Sequence, residues 1–163
     1  MPKLVYISGA LSDLPAGVRD QHLQFYEDLG RAVESIGLEA YVPHLYTDPV
    51  RHKTASPALI DRIDRTAVSY SCLVIAVVDY PALGVGIEIE MANHAAKPVL
   101  LVCQADRVAQ GRISRLARGN PAVQGEILYL DFDDAIQQVL SFLKTFLQEQ
   151  TAGPLPGPLQ VRV

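Results

Sequence analysis

The chain reads as a single α/β domain, a five-stranded parallel sheet with helices on both faces. Three observations lead there. Short apolar runs recur at residues 4–8, 72–78, 99–102 and 127–130, with a shorter one at 39–42, and continuous apolar runs of that length suit strands buried on both faces. Between them lie segments with apolar residues at steps of three and four, the spacing of a helix with one buried stripe. The two element types alternate along the chain, and such strand–helix–strand units close into parallel sheets.

Each element has its own justification. Leu4-Val5-Tyr6-Ile7-Ser8 is the first strand, closed by Gly9, and Pro15 and Gly17 break the loop after it. A helix follows from about Arg19 to Ile36, with Leu23, Tyr26, Leu29 or Gly30 and Val33 facing inward and Gly37 as its stop. Glu39-Ala40-Tyr41-Val42 is a short second strand ending at Pro43. Residues 44–56 lack periodicity, and a loop of that length inside a compact domain is functional or mobile. Ser56 and Pro57 supply an N-cap and a first helical residue for a helix to about Tyr70. Cys72–Val78 is the third strand, followed by a glycine turn and a helix from about 85 to Ala96. Pro98 halts that helix before the strand at Val99–Val102. A short helix near 111–118 leads to the last strand, Ile127–Leu130, and the last helix, Asp133 to about Gln148. Residues 1–150 make up the domain, and 151–163, with Pro154, Pro156 and Pro158, form a flexible Pro/Gly-rich tail.

Composition narrows the function. A length of 163 residues with 49% hydrophobic content is that of one globular domain with a substantial core. The net charge of -4 argues against polymeric nucleic acid as a partner. The nearest basic cluster, Arg107, Arg112, Arg115 and Arg118, is a solvated face or part of an anion site. Cys72 and Cys103 sit on apolar strands as small core residues, and the four histidines are scattered, so neither metal nor cofactor is expected. The N-terminus has no signal-peptide pattern, and no apolar stretch approaches the ~20 residues of a membrane helix. A cytoplasmic protein with no membrane partner is the expectation.

Five strands in this alternation suggest the flavodoxin-like order 2-1-3-4-5, whose ligand crevice opens between strands 1 and 3. The loops after those strands hold Ser8, Gly9 and the segment 79–88, which makes Ser8, Gly9, Gly84 and Gly86 candidate substrate contacts. Glu88 falls in the first turn of the following helix, where the helix dipole would keep it ionised and suited to nucleophilic attack. The alternative is an ordinary surface glutamate, since acids are common in first turns. Glu90 competes for the same role, but two residues along a helix is a rotation of about 200°, so both cannot face the crevice.

Taken together, Val5-Tyr6-Ile7-Ser8-Gly9, Asp64, Pro81-Ala82-Leu83-Gly84-Val85-Gly86-Ile87-Glu88, Ala92, Lys97-Pro98-Val99, Ser114 and Arg118-Gly119 resemble the nucleoside 2-deoxyribosyltransferase family. Within it, the branch of 2′-deoxynucleoside 5′-phosphate N-hydrolases is the most similar. The resemblance implies that Glu88 attacks the anomeric carbon and displaces the base, leaving a glycosyl–glutamate ester that water or a second base then resolves. It implies Asp64 as the acid near the leaving base, Tyr6 as the residue orienting Glu88, and His44 in the base pocket. It places Ala82 and Ser114 at the 5′ group, Ser114 reaching across from a neighbouring subunit, so that a homodimer or higher homo-oligomer is implied. The chain also departs from the pattern. Alanine stands at 82 where the hydrolases have a phosphate-binding serine and the transferases an aspartate; Ser12 stands where the hydrolases have an arginine; and Glu90 often corresponds to a glycine. The implied function is cleavage of the N-glycosidic bond of a nucleoside or its 5′-monophosphate. Transfer of the sugar to a second base is the alternative, and a non-catalytic nucleotide-binding or sensor domain a further one.

Overall fold

A computed structural model describes residues 3–12 and 14–151. The tail reading for 151–163 therefore lies outside the described residues, apart from Thr151 at the end of the last helix. The elements are β1 (Leu4–Gly9), α1 (Arg19–Ser35), β2 (Glu39–Tyr41), α2 (His44–Thr47), α3 (Pro57–Tyr70), β3 (Ser71–Val77), α4 (Leu83–His94), β4 (Val99–Gln104), α5 (Ala105–Ala109), α6 (Arg115–Arg118), β5 (Val123–Tyr129) and α7 (Phe132–Thr151). The strands pair in parallel in the order β2-β1-β3-β4-β5. This is the expected flavodoxin-like arrangement.

Alternation along the strands splits the core in two. Val5, Ile7, Leu73, Ile75, Val77, Leu100 and Val102 face α1 and α7, where Phe25, Leu29, Val139 and Leu143 meet them. Tyr6, Val74, Ala76, Val99, Leu101 and Cys103 face the other way, against Val68 of α3 and Val85 and Ile89 of α4. The expected caps are present: the Leu59 N–H donates to Ser56 Oγ (3.2 Å) with Pro57 opening α3, and Gly37 ends α1 with φ +84°. Among the described residues no helix is long and apolar enough to cross a membrane.

Four local expectations are corrected. β5 starts at Val123, earlier than expected, because its residues alternate between inward and exposed, as an edge strand's do, instead of forming an apolar run. Within 111–118 only Arg115–Arg118 is helical, as α6, and a further short helix not expected from the sequence, α5, precedes it at Ala105–Ala109. The segment after β2 is anchored, not loose. It opens with α2, and the buried Asp48 accepts two bonds from Arg19 Nη2 (2.8 and 3.0 Å) and one from the Val50 N–H (2.8 Å). Last, α4 begins at Leu83, so Gly84 and Gly86 lie inside the helix and the preceding turn is Asp79 to Ala82.

Gly9 is explained by packing. A Cβ there would press into the Tyr26 ring, 2.6 Å from Cε1, and Tyr26 is itself buried, its hydroxyl donating to the Ala10 carbonyl (3.3 Å). Overpacking of this kind costs about 1–3 kcal/mol, and a domain of this size loses roughly 2–4 °C in Tm per kcal/mol. Gly9→Ala is expected to lower Tm accordingly, and Gly9→Ala combined with Tyr26→Leu to recover part of the loss. Equal melting of Gly9→Ala and wild type would show that the ring can yield.

Candidate active site

Residues two apart on a strand share a face, so Tyr6 and Ser8 both project from β1 towards α4. There they meet one carboxylate. Tyr6 Oη donates to Glu88 Oε1 at 2.8 Å, and Ser8 Oγ donates to Glu88 Oε2. Each oxygen of Glu88 thus has its own donor from the most enclosed part of the sheet. Asp64, on the inward face of α3, completes the group. It is 9% exposed, its Oδ1 has no partner, and its carboxylate also feels a hydrogen bond from the Tyr6 hydroxyl.

The electrostatics differ from the expectation of a dipole-stabilised carboxylate. Glu88 lies in the second turn of α4, beyond the helix end where the dipole acts. The residue keeps partial exposure, yet its carboxylate is surrounded by protein, and this burial raises its pKa to about 7. The Ser8 and Tyr6 bonds oppose the rise and the Asp64 charge adds to it. Asp64 is pushed up to about 6, again chiefly by burial, with the Tyr6 bond opposing and Asp61 adding. Tyr6 itself is driven well above the ordinary tyrosine range by burial and by the charges of Glu88 and Asp64, so it stays protonated as a donor. Two neighbouring carboxyl groups, both titrating near neutrality, form a pair able to hold a single proton between them.

The other sequence-predicted residues lie elsewhere. Gly84 is one turn before Glu88 on the same helix face, and a Cβ there would meet nothing within 4 Å. Ala82, Gly86 and Ser114 instead line a cleft of about 800 Å³ on the opposite flank of α4, together with Arg112, Ile89 and Glu90. Ala82 is the N-cap residue of α4 and makes no side-chain cap bond, while Ser114 caps α6 by accepting from the Ala117 N–H at 3.3 Å. This larger cleft is separate from the Glu88 group, whose chemistry decides where the reaction belongs.

His44 lies apart from the hydrogen bonds around Glu88. Its ring is buried against Tyr26 and its Nε2 bonds Glu27 Oε1 at 3.0 Å, so its contacts are with α1 and not with Glu88. Glu90 is not freely solvated; it accepts from Asn93 (3.0 Å) and Asn120 (2.9 Å), tying α4 to the loop before β5. The arginine cluster disperses as well. Arg107 lies over the Tyr80 ring at 3.9 Å, Arg118 pairs with Glu126, and Arg112 faces the larger cleft. Sequence reasoning missed Tyr41, whose ring stacks on Tyr6 with centroids 5.4 Å apart and planes 20° from parallel. The available signal was its position as an aromatic residue near the end of strand 2, next to strand 1 in the expected order. Among the described residues, no group of three His, Cys, Asp or Glu side chains could hold a metal ion.

No family model and no curated protein matches the chain. Solved structures do. BlsM superposes with a TM-score of 0.71 at 18% identity, covering 96% of this chain and 98% of its own. The CMP N-glycosidase BcmB of Clostridium botulinum gives 0.62 at 23% identity, covering 84% and 98%. A 2-deoxyribosyltransferase of Bacillus psychrosaccharolyticus gives 0.58 at 14% identity, covering 84% and 95%. The chain has the fold of these proteins. At such identities the likeness is one of architecture, and the residues around Glu88 carry the chemical argument.

Proposed function

We propose that the chain is an N-glycosidase that releases the base from a nucleoside or nucleoside 5′-monophosphate through a covalent glycosyl–Glu88 ester. The observation that carries this reading is the Glu88 carboxylate held at both oxygens by Tyr6 and Ser8, with a second buried carboxyl, Asp64, near enough for its charge to act on both Glu88 and Tyr6. A fixed carboxylate beside a carboxylic acid is what displacement at a glycosidic carbon requires. The fold shared with a CMP N-glycosidase and a deoxyribosyltransferase supports it.

In the first step ionised Glu88 attacks the anomeric carbon. The bond to the base nitrogen breaks, its electron pair leaves with the base, and the base takes the proton of Asp64. In the second step water attacks the anomeric carbon of the ester, gives its proton to the Asp64 carboxylate, and frees the sugar and Glu88. Tyr6 and Ser8 hold the carboxylate throughout. The reading includes a deoxyribose preference and action as a homodimer or higher homo-oligomer, as the resemblance implies, and the cytoplasmic location expected from the sequence.

The test incubates the protein with a panel of nucleosides and their 5′-monophosphates, with and without a second free base, and follows products by chromatography. Release of free base supports the reading. A new nucleoside formed only with the second base would assign a transferase, and no product from any substrate would reject N-glycosidic chemistry. Ala82 offers no hydroxyl and Ser12 no cation at the 5′ group, and one charge-assisted contact amounts to roughly 1.5–3 kcal/mol. The two 5′ forms are therefore expected to differ in kcat/KM by less than about 100-fold. A preference above a thousandfold for the monophosphate would overturn that expectation.

A further inference from the structure

Four buried side-chain atoms among the described residues have no hydrogen-bond partner: His22 Nε2, His44 Nδ1, Asp64 Oδ1 and Tyr41 Oη. Both imidazole rings are already engaged through their other nitrogen, His22 Nδ1 with the Val18 carbonyl and His44 Nε2 with Glu27, and His22 Nε2 lies 3.6 Å from Asp79 Oδ2. The remaining two stand on the Glu88 side. Tyr41 is paired in register with Tyr6, stacks on its ring, and its hydroxyl feels the charge of Asp64 more than that of any other residue. A buried hydroxyl without a partner costs stability, whereas phenylalanine would keep the ring stack and avoid that cost. Among the described residues no group bonds this hydroxyl.

We propose that Tyr41 is a specificity-determining residue whose hydroxyl donates a hydrogen bond to an acceptor atom of the leaving base, beside Asp64. The inference rests on the N-glycosidase reading and adds a residue to it. As the bond to the anomeric carbon breaks, negative charge gathers on the base, and a donor aimed at it from a dry site acts more strongly on the transition state than on the bound substrate. Burial and the neighbouring carboxylates drive the Tyr41 pKa well above the ordinary range, so the group remains a donor. The ring over Tyr41 is Tyr46, 5.0 Å away, 13° from parallel and 56% exposed on the short α2. A base reaches Tyr41 when this one exposed side chain turns aside.

Tyr41→Phe and Tyr41→Leu separate the hydroxyl from the ring. In Tyr41→Phe the expected Tm is equal to or above wild type, by on the order of 2–4 °C at most, while kcat/KM for base release falls about 10- to 100-fold, mainly in kcat, and the ranking of bases changes. Tyr41→Leu loses the stack on Tyr6 as well and is expected to fall further. A Tyr41→Phe variant within twofold of wild type for every base, or one that melts lower with unchanged kinetics, overturns the inference and leaves the N-glycosidase reading standing. A wild type that releases no base from any substrate removes both.

Discussion

Glu88→Gln is expected to reduce base release by on the order of 10³-fold or more while the fold stays intact, since only substrate positioning would remain. Glutamine keeps the shape and can still accept from Tyr6, so the loss reports the nucleophile and not a collapsed site. Glu90→Gln, two residues along α4, touches only Asn93 and Asn120 and is expected to retain most activity. Denaturing mass spectrometry after exposure to a 2-fluoro-2-deoxy nucleoside should find the sugar on Glu88. Activity with inversion at the anomeric carbon would make Glu88 a general base acting on water instead.

The second large effect concerns Asp64. Attack needs Glu88 ionised, and departure of the base needs Asp64 protonated. Glu88 titrates at about 7 and Asp64 at about 6. Below both values the pair holds two protons and Glu88 cannot attack; above both it holds none and the base leaves without a proton. Activity is therefore expected to peak in a bell between about pH 6 and 7, where the pair holds one proton. That proton rests mainly on Glu88, which titrates higher, and the reactive form carries it on Asp64 as the minor tautomer. Asp64→Asn should lose the alkaline limb and lower kcat by about 10²- to 10⁴-fold, the usual share of a general acid. Its acid limb should stay at or slightly above the wild-type position, because it then reports Glu88 alone beside a neutral neighbour. A p-nitrophenyl glycoside, whose leaving group needs no proton, should release p-nitrophenol in the first turnover of Asp64→Asn at close to the wild-type rate, with later turnovers slowed because water then attacks the ester without its base. An alkaline limb that persists in Asp64→Asn would assign the acid elsewhere.

The same shifts set a sign for stability. Asp64 has a folded pKa above its ordinary value, so the stability linked to its protonation is present below about pH 4 and is lost as pH rises through 6. Asp64→Asn should therefore melt higher than wild type at pH 8, with the gain shrinking towards pH 4.

The fold was largely legible because its signals are local and redundant. Apolar runs, a Ser56–Pro57 helix start and a Gly37 stop each follow from short-range chemistry, and their alternation leaves few topologies. Boundaries went astray where tertiary contacts decide, as in β5, an edge strand recruited by pairing with β4. Of the site, Tyr6, Asp64 and Glu88 came from a motif set, and the sheet order explains why they meet. The reason for Gly9 was invisible, because it is the Tyr26 ring packed from the other face. Tyr41 was passed over because a strand aromatic carries no motif, and only its orphaned hydroxyl and its stack on Tyr6 mark it. The inferred ionisation of Glu88 failed for a related reason: desolvation depends on what packs around a group, which sequence position does not report.

Tyr6 and Ser8 grip Glu88 from a strand flanked by β2 and β3 and covered on both faces. Their places are set by the sheet's main-chain ladder, so the torsions of the glutamate side chain are frozen when the domain folds and not when substrate arrives. The rotational entropy of the attacking group is thus lost once per folding event, and each catalytic cycle starts with the reacting oxygens already oriented.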